Sequence, residues 1–258
     1  MSTLRIGLLG CGRIGRVHAD SVTVNPRAEL VRVFDPFESA ATEVATQFGT
    51  AWTTEADAIL DDPSIDAVIV ASPTPTHVDL LTRALRADKA VLCEKPIDLD
   101  LARVDACRAE IGDLAARVMV GFNRRFDPSF ADIRARVSAG EIGGLEQLVI
   151  ISRDPAPPPA AYVATSGGLF RDMTIHDFDM ARFFLGEVVS VTEITAPTWS
   201  PGDALSGTTT SNGTITSLPG FTVTSSADIV TQVPTSVGFS AEGKSANWPL
   251  VVENASVA

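Results

Sequence analysis

Asp172 and His176 are the residues whose types and spacing first suggest chemistry. They lie in GGLFRDMTIHDFDMARFFL, residues 167–185, which is typical of a glycine turn followed by a helix. Four residues apart on a helix, the two side chains would share one face. A carboxylate beside an imidazole fixes the tautomer of the ring and tunes it for proton transfer. The alternative, a surface helix with an ordinary Asp–His pair, fits these residues equally well.

A glycine-rich turn near the N-terminus has the G-x-G-x-x-G spacing of a dinucleotide site. The apolar run Leu4 to Leu9 predicts a strand buried on both faces, and a helix is predicted after the turn, to about Val24. The glycines permit the turn, let a pyrophosphate approach the backbone and let helix and strand pack closely. Free N–H groups of the helix would face the phosphates. An ordinary strand-to-helix turn is the alternative. The loop residues expected to contact the cofactor are Gly10, Gly12, Arg13, Ile14 and Gly15.

The next predicted strand, Glu29 to Phe34, strengthens the dinucleotide interpretation. It ends in Asp35, twenty residues after Gly15. An acidic residue at this place accepts hydrogen bonds from the adenosine ribose and repels a 2′-phosphate, which favours NAD over NADP. The alternative is that Asp35 only caps a helix beginning at Pro36.

Helices and short apolar strands alternate as far as about Gly121, which predicts a parallel sheet with right-handed crossovers. Ligands of such sheets bind beyond the carboxyl ends of the strands. Two polar segments, 72–77 and 94–96, follow predicted strands, so both are expected to face the cofactor. For His77 a structural role near the nicotinamide is favoured over a catalytic one, and His18 on the first helix is also expected to be structural. The residues of these segments expected to contact the cofactor are Ser72, Thr74, His77, Glu94 and Lys95.

The pattern changes after residue 122. A helix over Pro128 to Ser138, a strand over Gly144 to Ile151 and an alternating segment from Val188 to Thr195 predict antiparallel sheet combined with helices. The chain is therefore divided into a doubly wound Rossmann domain, residues 1–122, and an α+β domain on a mostly antiparallel open sheet, residues 123–258.

Composition excludes several classes of function. A net charge of −12 disfavours nucleic acid and anionic membranes as partners, since both need clustered Lys and Arg. No apolar run approaches the ~18 residues of a membrane span. The N-terminus leads directly into a strand pattern without a signal peptide, and the three cysteines are spaced unlike metal ligands. We expect a cytoplasmic protein without a metal.

Several segments together resemble the Gfo/Idh/MocA oxidoreductase family, and within it the inositol 2-dehydrogenases. The resemblance runs from about Leu4 to Glu193. Its most specific part for the inositol branch is GGLFRDMTIHDFDMARFFLG at 167–186, whereas EKP indicates only the wider family. The other segments that carry it are GCGRIGRVHA at 10–19, ASPTPTH at 71–77, CEKPI at 93–97, GFNRRFDPSF at 121–130 and SRDPAPPP at 152–159.

The resemblance implies a catalytic set of Lys95, Asp172 and His176 acting on a polyol with NAD. Oxidation of a secondary alcohol needs a base for the hydroxyl proton, and His176 with Asp172 fits that role. Lys95 would stabilise developing alkoxide charge or relay the proton, and both roles stay open. A polyhydroxylated substrate needs further polar partners. The substrate-contact candidates are Lys95, Asn123, Arg124, Arg153, Asp154, Asp172, His176 and Asp179.

The C-terminal part departs from the family pattern after about residue 196. The segment FTVTSSADIVTQVPTSV at 221–237 stands where the inositol branch has a Tyr- and Arg-containing stretch, and Tyr162 is the chain's only tyrosine. An incomplete sheet with an exposed edge is expected. The resemblance implies a homo-oligomer, a tetramer in the family, and this departure weakens that expectation.

The sequence therefore predicts NAD-dependent oxidation of a cyclic polyol, most specifically of myo-inositol to a keto-inositol. One alternative is a dehydrogenase for scyllo-inositol or another sugar. The other is a catalytically impaired NAD-binding paralogue that serves as a sensor or assembly subunit. A substrate panel with NAD and NADP discriminates among them.

Overall fold

The structure, a computed structural model, describes residues 3–152, 162, 165–168 and 170–188, together with the backbone of short strands between residues 194 and 253. The chain divides into two compact units, Met1–Phe122 and Asn123–Ala258.

The first unit is a six-stranded parallel sheet in the order β3-β2-β1-β4-β5-β6. This is the doubly wound order. From β1 the chain first adds strands on one side of the sheet, and from β4 onward it adds them on the other side. Ligands of such sheets bind at the carboxyl ends of the strands, between β1 and β4. The predicted Rossmann fold is confirmed. The strands are β1 (Leu4–Leu9), β2 (Ala28–Phe34), β3 (Ala51–Thr53), β4 (Ala67–Val70), β5 (Ala90–Cys93) and β6 (Val118–Val120).

Helices cover both faces of this sheet, which explains why its central strands are continuous apolar runs rather than alternating ones. Leu8 and Val33 pack in one core cluster, and Leu9, Val68 and Val70 pack in the other, all fully buried. The helices are α1 (Arg13–Thr23), α2 (Glu38–Phe48), α3 (Asp57–Leu60), α4 (His77–Arg86) and α5 (Leu101–Ile111).

The second unit begins with a 3₁₀ turn, Asn123–Phe126, followed by α6 (Pro128–Ser138) and β7 (Gln147–Ser152). Asp127 caps α6 by accepting hydrogen bonds from two N–H groups of its first turn, and Pro128 occupies the position where no N–H is needed. β7 alternates between exposed and half-buried positions, as a strand with one covered face does.

The strands of the second unit pair antiparallel, as predicted. The later strands are β8 (Ile194–Thr195), β9 (Thr208–Thr209), β10 (Ile215–Ser217), β11 (Thr222–Val223), β12 (Ile229–Val230) and β13 (Trp248–Glu253). Strand β13 pairs with β7 along its whole length and with β12, giving the order β12-β13-β7.

Residues 170–185 form two kinds of helix, where the sequence predicted one. Phe170–Thr174 is a π-helical turn, and the regular helix α7 begins only at Ile175 and ends at Leu185. Asp172 therefore lies on the wider turn and His176 in the first turn of α7. Single π turns inside helices are rare and occur frequently at functional sites.

In the part of the chain that the structure describes, no helix is both long enough and apolar enough to span a bilayer.

Candidate functional site

The glycine loop after β1 leaves open space at one of its three glycines. A Cβ on Gly10, whose φ is +109°, would lie 2.6 Å from the Ser72 nitrogen, and a Cβ on Gly15 would lie 2.0 Å from the Gly10 oxygen. A Cβ on Gly12 would meet nothing within 4 Å. Gly10 and Gly15 are thus needed for packing, whereas Gly12 leaves free space at the N-terminus of α1. This arrangement fits a pyrophosphate held against the N-terminus of α1. The neighbouring Arg13 is exposed and Ile14 is half-buried.

Asp35 is fixed at the end of β2 by two backbone groups. Its Oδ2 accepts a hydrogen bond from the Cys11 N–H and its Oδ1 from the Phe37 N–H, both at 3.0 Å. The carboxylate therefore links the glycine loop to Phe37, the residue before α2, and that helix begins at Glu38 rather than at Pro36. Each oxygen keeps acceptor capacity for a ribose hydroxyl.

The cysteine in the glycine loop is not a nucleophile. Burial, together with the nearby charge of Asp35, raises the pKa of the Cys11 thiol to about 12. Burial also raises the pKa of Cys93, at the end of β5. Since reactive cysteines are those with a lowered pKa, both thiols stay protonated packing groups at neutral pH.

His77 connects the two segments that follow β4 and β5. The ring is buried, with Nδ1 lying 2.8 Å from the Pro96 oxygen and Nε2 lying 2.8 Å from the Ser72 oxygen. Ser72 Oγ in turn lies 2.6 Å from the hydroxyl of Thr76, in the 3₁₀ turn that begins at Thr74. These contacts favour the structural role of His77. They hold both segments at the sheet edge where ligands bind.

Glu94 and Lys95 follow β5 and are both half-buried. Glu94 Oε1 lies 2.7 Å from His18 Nε2 on α1, and Glu94 Oε2 accepts a hydrogen bond from the Lys95 N–H at 3.3 Å. No pattern in the sequence predicts that His18 and Glu94 meet, because they lie 76 residues apart.

In the second unit, Tyr162 contacts the carboxylate of the predicted catalytic pair. Its hydroxyl donates to Asp172 Oδ1 at 2.8 Å, and the Asp172 N–H donates to the Gly168 oxygen at 3.0 Å. Asp172 and His176 are both half-buried, on consecutive turns. A donor from Tyr162 fixes the orientation of the carboxylate that is predicted to support His176. Sequence reasoning did not assign this role to Tyr162.

Arg124, which is half-buried, forms a charge pair with the buried Asp177, the residue after His176. Arg124 Nη1 donates to Asp177 Oδ1 at 2.5 Å, and Ser152 Oγ at the end of β7 donates to the same oxygen at 2.5 Å. Arg124 was predicted to contact substrate, and this pairing gives its guanidinium a second task, namely to hold the start of α7. Neither Asp177 nor Ser152 was singled out from the sequence.

Arg125 and Asp179 form the second such pair. Arg125 Nε donates to both carboxylate oxygens, at 2.9 and 2.8 Å, and its guanidinium carbon lies 5.2 Å from the ring centre of Phe183. Asp179 is only 5% exposed. This salt bridge favours a structural role for Asp179 over the substrate contact that the sequence suggested.

Replacing Arg125 with methionine is expected to destabilise the second unit by about 2–4 kcal/mol. The change leaves the Asp179 carboxylate buried without its guanidinium, and the partial exposure of Arg125 keeps the loss below that of a fully buried pair. Urea unfolding followed by circular dichroism measures it. Arg134→Met is the matched control, since Arg134 lies 5.9 Å from the same ring and donates to the Ser138 hydroxyl rather than to a buried carboxylate. An equal loss in both variants would contradict the assignment.

The remaining predicted positions are placed as follows. Asn123 is exposed at the start of the 3₁₀ turn, and Arg153 and Asp154 lie outside the described residues. Among the residues that the structure describes, no group of three His, Cys, Asp or Glu side chains could hold a metal ion.

Two family models match the chain. The Gfo/Idh/MocA oxidoreductase model, described as an NAD-binding Rossmann fold, matches residues 4–122. The Gfo/Idh/MocA C-terminal domain model matches residues 130–241, past the point near residue 196 at which the sequence resemblance was predicted to end.

Individual proteins agree with these models. Inositol 2-dehydrogenase of Rhizobium meliloti is 55% identical over 195 residues, which are 75% of this chain and 59% of that protein. A myo-inositol dehydrogenase structure from Corynebacterium glutamicum matches with a TM-score of 0.69 and 50% identity, over 81% of this chain and 59% of that one. The scyllo-inositol dehydrogenase of Lactobacillus casei, solved with NAD(H) and scyllo-inositol, matches with a TM-score of 0.64 and 33% identity, over 75% and 58%. The chain thus spans less than two thirds of the length of these relatives.

Proposed function

Because the chain belongs to the Gfo/Idh/MocA oxidoreductase family, we propose that it oxidises a cyclic polyol with NAD, most specifically myo-inositol to a keto-inositol. The observation that carries the proposal is the cofactor frame of the first unit, by which we mean the glycine loop after β1 together with Asp35. The space beside Gly12 is free, and the Asp35 carboxylate is fixed beside the loop. The names of the relatives support the substrate class, since they are myo- and scyllo-inositol dehydrogenases.

The proposed chemistry divides among three residues of this chain. Bound NAD supplies the hydride acceptor, and the protein orients and polarises the alcohol. His176 takes the hydroxyl proton, and Asp172, oriented by Tyr162, stabilises the resulting imidazolium. Lys95 donates a hydrogen bond to the reacting oxygen and stabilises the developing negative charge. A half-buried position strengthens each of these interactions, because water screens them less there.

Asp35 is proposed to select NAD over NADP. Asp35→Ala is expected to weaken NAD binding by roughly 10–100-fold, the size of a lost hydrogen bond to a charged group, and to raise the NADP-to-NAD activity ratio. NADH and NADPH formation are measured side by side on a panel of inositols and sugars. Asp35→Asn is the control for lost loop contacts, because its amide oxygen still accepts from one of the two backbone N–H groups. An unchanged ratio in Asp35→Ala would refute the assignment.

The same panel tests the whole proposal. Turnover of myo-inositol with NAD supports the proposal. Turnover of only scyllo-inositol or another sugar would identify that compound as the substrate instead. NAD binding measured by calorimetry without turnover of any polyol would favour the impaired paralogue.

Location and assembly are proposed as well. Three buried free cysteines support the cytoplasm as the location, because a reducing compartment keeps thiols unpaired. Assembly into a homo-oligomer, which the family resemblance implies, is tested by light scattering of the purified chain.

A further inference from the structure

The carboxylate of Glu94 lies where three elements of the first unit meet. Glu94 follows β5 directly, His18 comes from the middle of α1, and Gly121 follows β6. One carboxylate oxygen lies 2.7 Å from His18 Nε2, and the other accepts the Lys95 N–H. Because an ionised carboxylate only accepts hydrogen bonds, Nε2 of His18 is the donor.

Charge and burial favour a fixed anion at this point. The side chains of Glu94 and His18 are only 18% and 20% exposed. Burial raises the pKa of Glu94, but the hydrogen bond and charge of His18, with the N–H and charge of Lys95, outweigh it and lower the pKa overall. Glu94 is thus ionised at neutral pH, and its two oxygens face His18 Nε2 and the Lys95 N–H.

Gly121 lies directly against the carboxylate of Glu94. A Cβ on Gly121 would lie 3.0 Å from the carboxyl carbon and both oxygens of Glu94, tighter than ordinary van der Waals contact. The Gly121 N–H donates to the Cys93 oxygen at 2.8 Å, so the backbone that bears this glycine is itself held by β5. The carboxylate is therefore packed directly against main chain.

We propose that Glu94 is a positioning residue for Lys95, with His18 and Gly121 fixing its carboxylate. The inference rests on the proposed function, in which the Lys95 ammonium contacts the reacting oxygen. Glu94 holds the backbone N–H of Lys95, and this sets the point from which the lysine side chain extends. His18 lies on the helix whose first turn faces the cofactor phosphates, so the same contact ties the lysine to the cofactor frame.

The kinetic test compares four variants with the wild type. His18→Leu removes the donor, and Gly121→Ala pushes on the carboxylate without removing any polar group. Both are expected to lower kcat for polyol oxidation by about 10–100-fold, the cost of a misplacement of up to about 1 Å. KM for the polyol and Kd for NAD should change by less than about threefold, because uniform binding is retained. His18→Gln, whose amide can donate to the carboxylate, should recover most of kcat, and Asp20→Asn on the exposed face of α1 is the control.

Amide hydrogen exchange, followed by NMR, provides a readout that does not need turnover. The Lys95 amide should exchange faster in His18→Leu than in the wild type, whereas amides of β4 keep their protection. If the wild type oxidises no polyol, the proposed function fails and exchange alone decides the positioning of Lys95. An unchanged Lys95 amide, an unchanged kcat, or faster exchange throughout the sheet would each overturn the inference.

Discussion

Lys95→Met is expected to lower kcat for polyol oxidation by about 10³-fold, because it removes the cation that we propose stabilises the developing alkoxide. Methionine is unbranched and only one atom shorter than lysine, so packing around this half-buried position changes little. NAD binding, measured by calorimetry, should weaken by less than about tenfold, the loss of one contact. Initial rates of NADH formation at saturating NAD measure the effect on kcat.

Lys95→Arg separates the two roles that the sequence left open. Arginine retains the positive charge but does not release its proton at accessible pH. If Lys95 acts only as a cation, Lys95→Arg should keep clearly more activity than Lys95→Met. If it relays the proton, the two variants should be equally impaired.

His176→Asn provides the complementary measurement. Removing a general base costs about 10²–10⁴-fold in rate, and the loss should shrink at high pH, where the hydroxyl proton leaves more easily. Full activity in either Lys95→Met or His176→Asn would show that the proposed division of the chemistry is wrong.

The cofactor frame was predictable from the sequence because its determinants are local. Buried strands are visible in the sequence as short apolar runs. The glycines and polar residues that follow these runs mark the turns at the strand ends. The carboxyl ends of parallel strands lie at one edge of the sheet. The sequence alone therefore assigns Gly12, Asp35, Ser72 and Lys95 to that edge.

The polar side-chain contacts of both units were not predictable, because they join distant parts of the chain. Arg125 and Asp179 lie 54 residues apart, and His18 and Glu94 lie 76 apart. From the sequence alone, a charged side chain could equally face solvent, bind substrate or pair with another side chain. Only its position in the folded protein decides among these roles. The π turn that carries Asp172 escaped prediction for another reason, since π and α turns differ in hydrogen-bond register rather than in residue type.

The three glycines of the first loop provide the other prediction with a large expected effect. Gly15→Ala should destabilise the first unit by about 3 kcal/mol and abolish detectable NAD binding, since the new Cβ would overlap a backbone oxygen that cannot rotate away. Thermal unfolding without and with NAD measures both consequences, because a bound ligand raises the unfolding temperature.

Gly12→Ala is the matched variant and should behave in the opposite way. Gly12 has φ −71° and ψ −169°, which any residue adopts, and no atom lies within 4 Å of its new Cβ. The cofactor-free protein should therefore be as stable as the wild type or about 0.5 kcal/mol more stable, because alanine restricts the unfolded chain. NAD affinity should nevertheless fall at least about tenfold, since the methyl group occupies the space left for the pyrophosphate. Wild-type NAD affinity in Gly12→Ala would mean that the phosphates approach the sheet edge somewhere other than Gly12, and a stability loss equal to that of Gly15→Ala would mean that the loop needs all three glycines for packing alone.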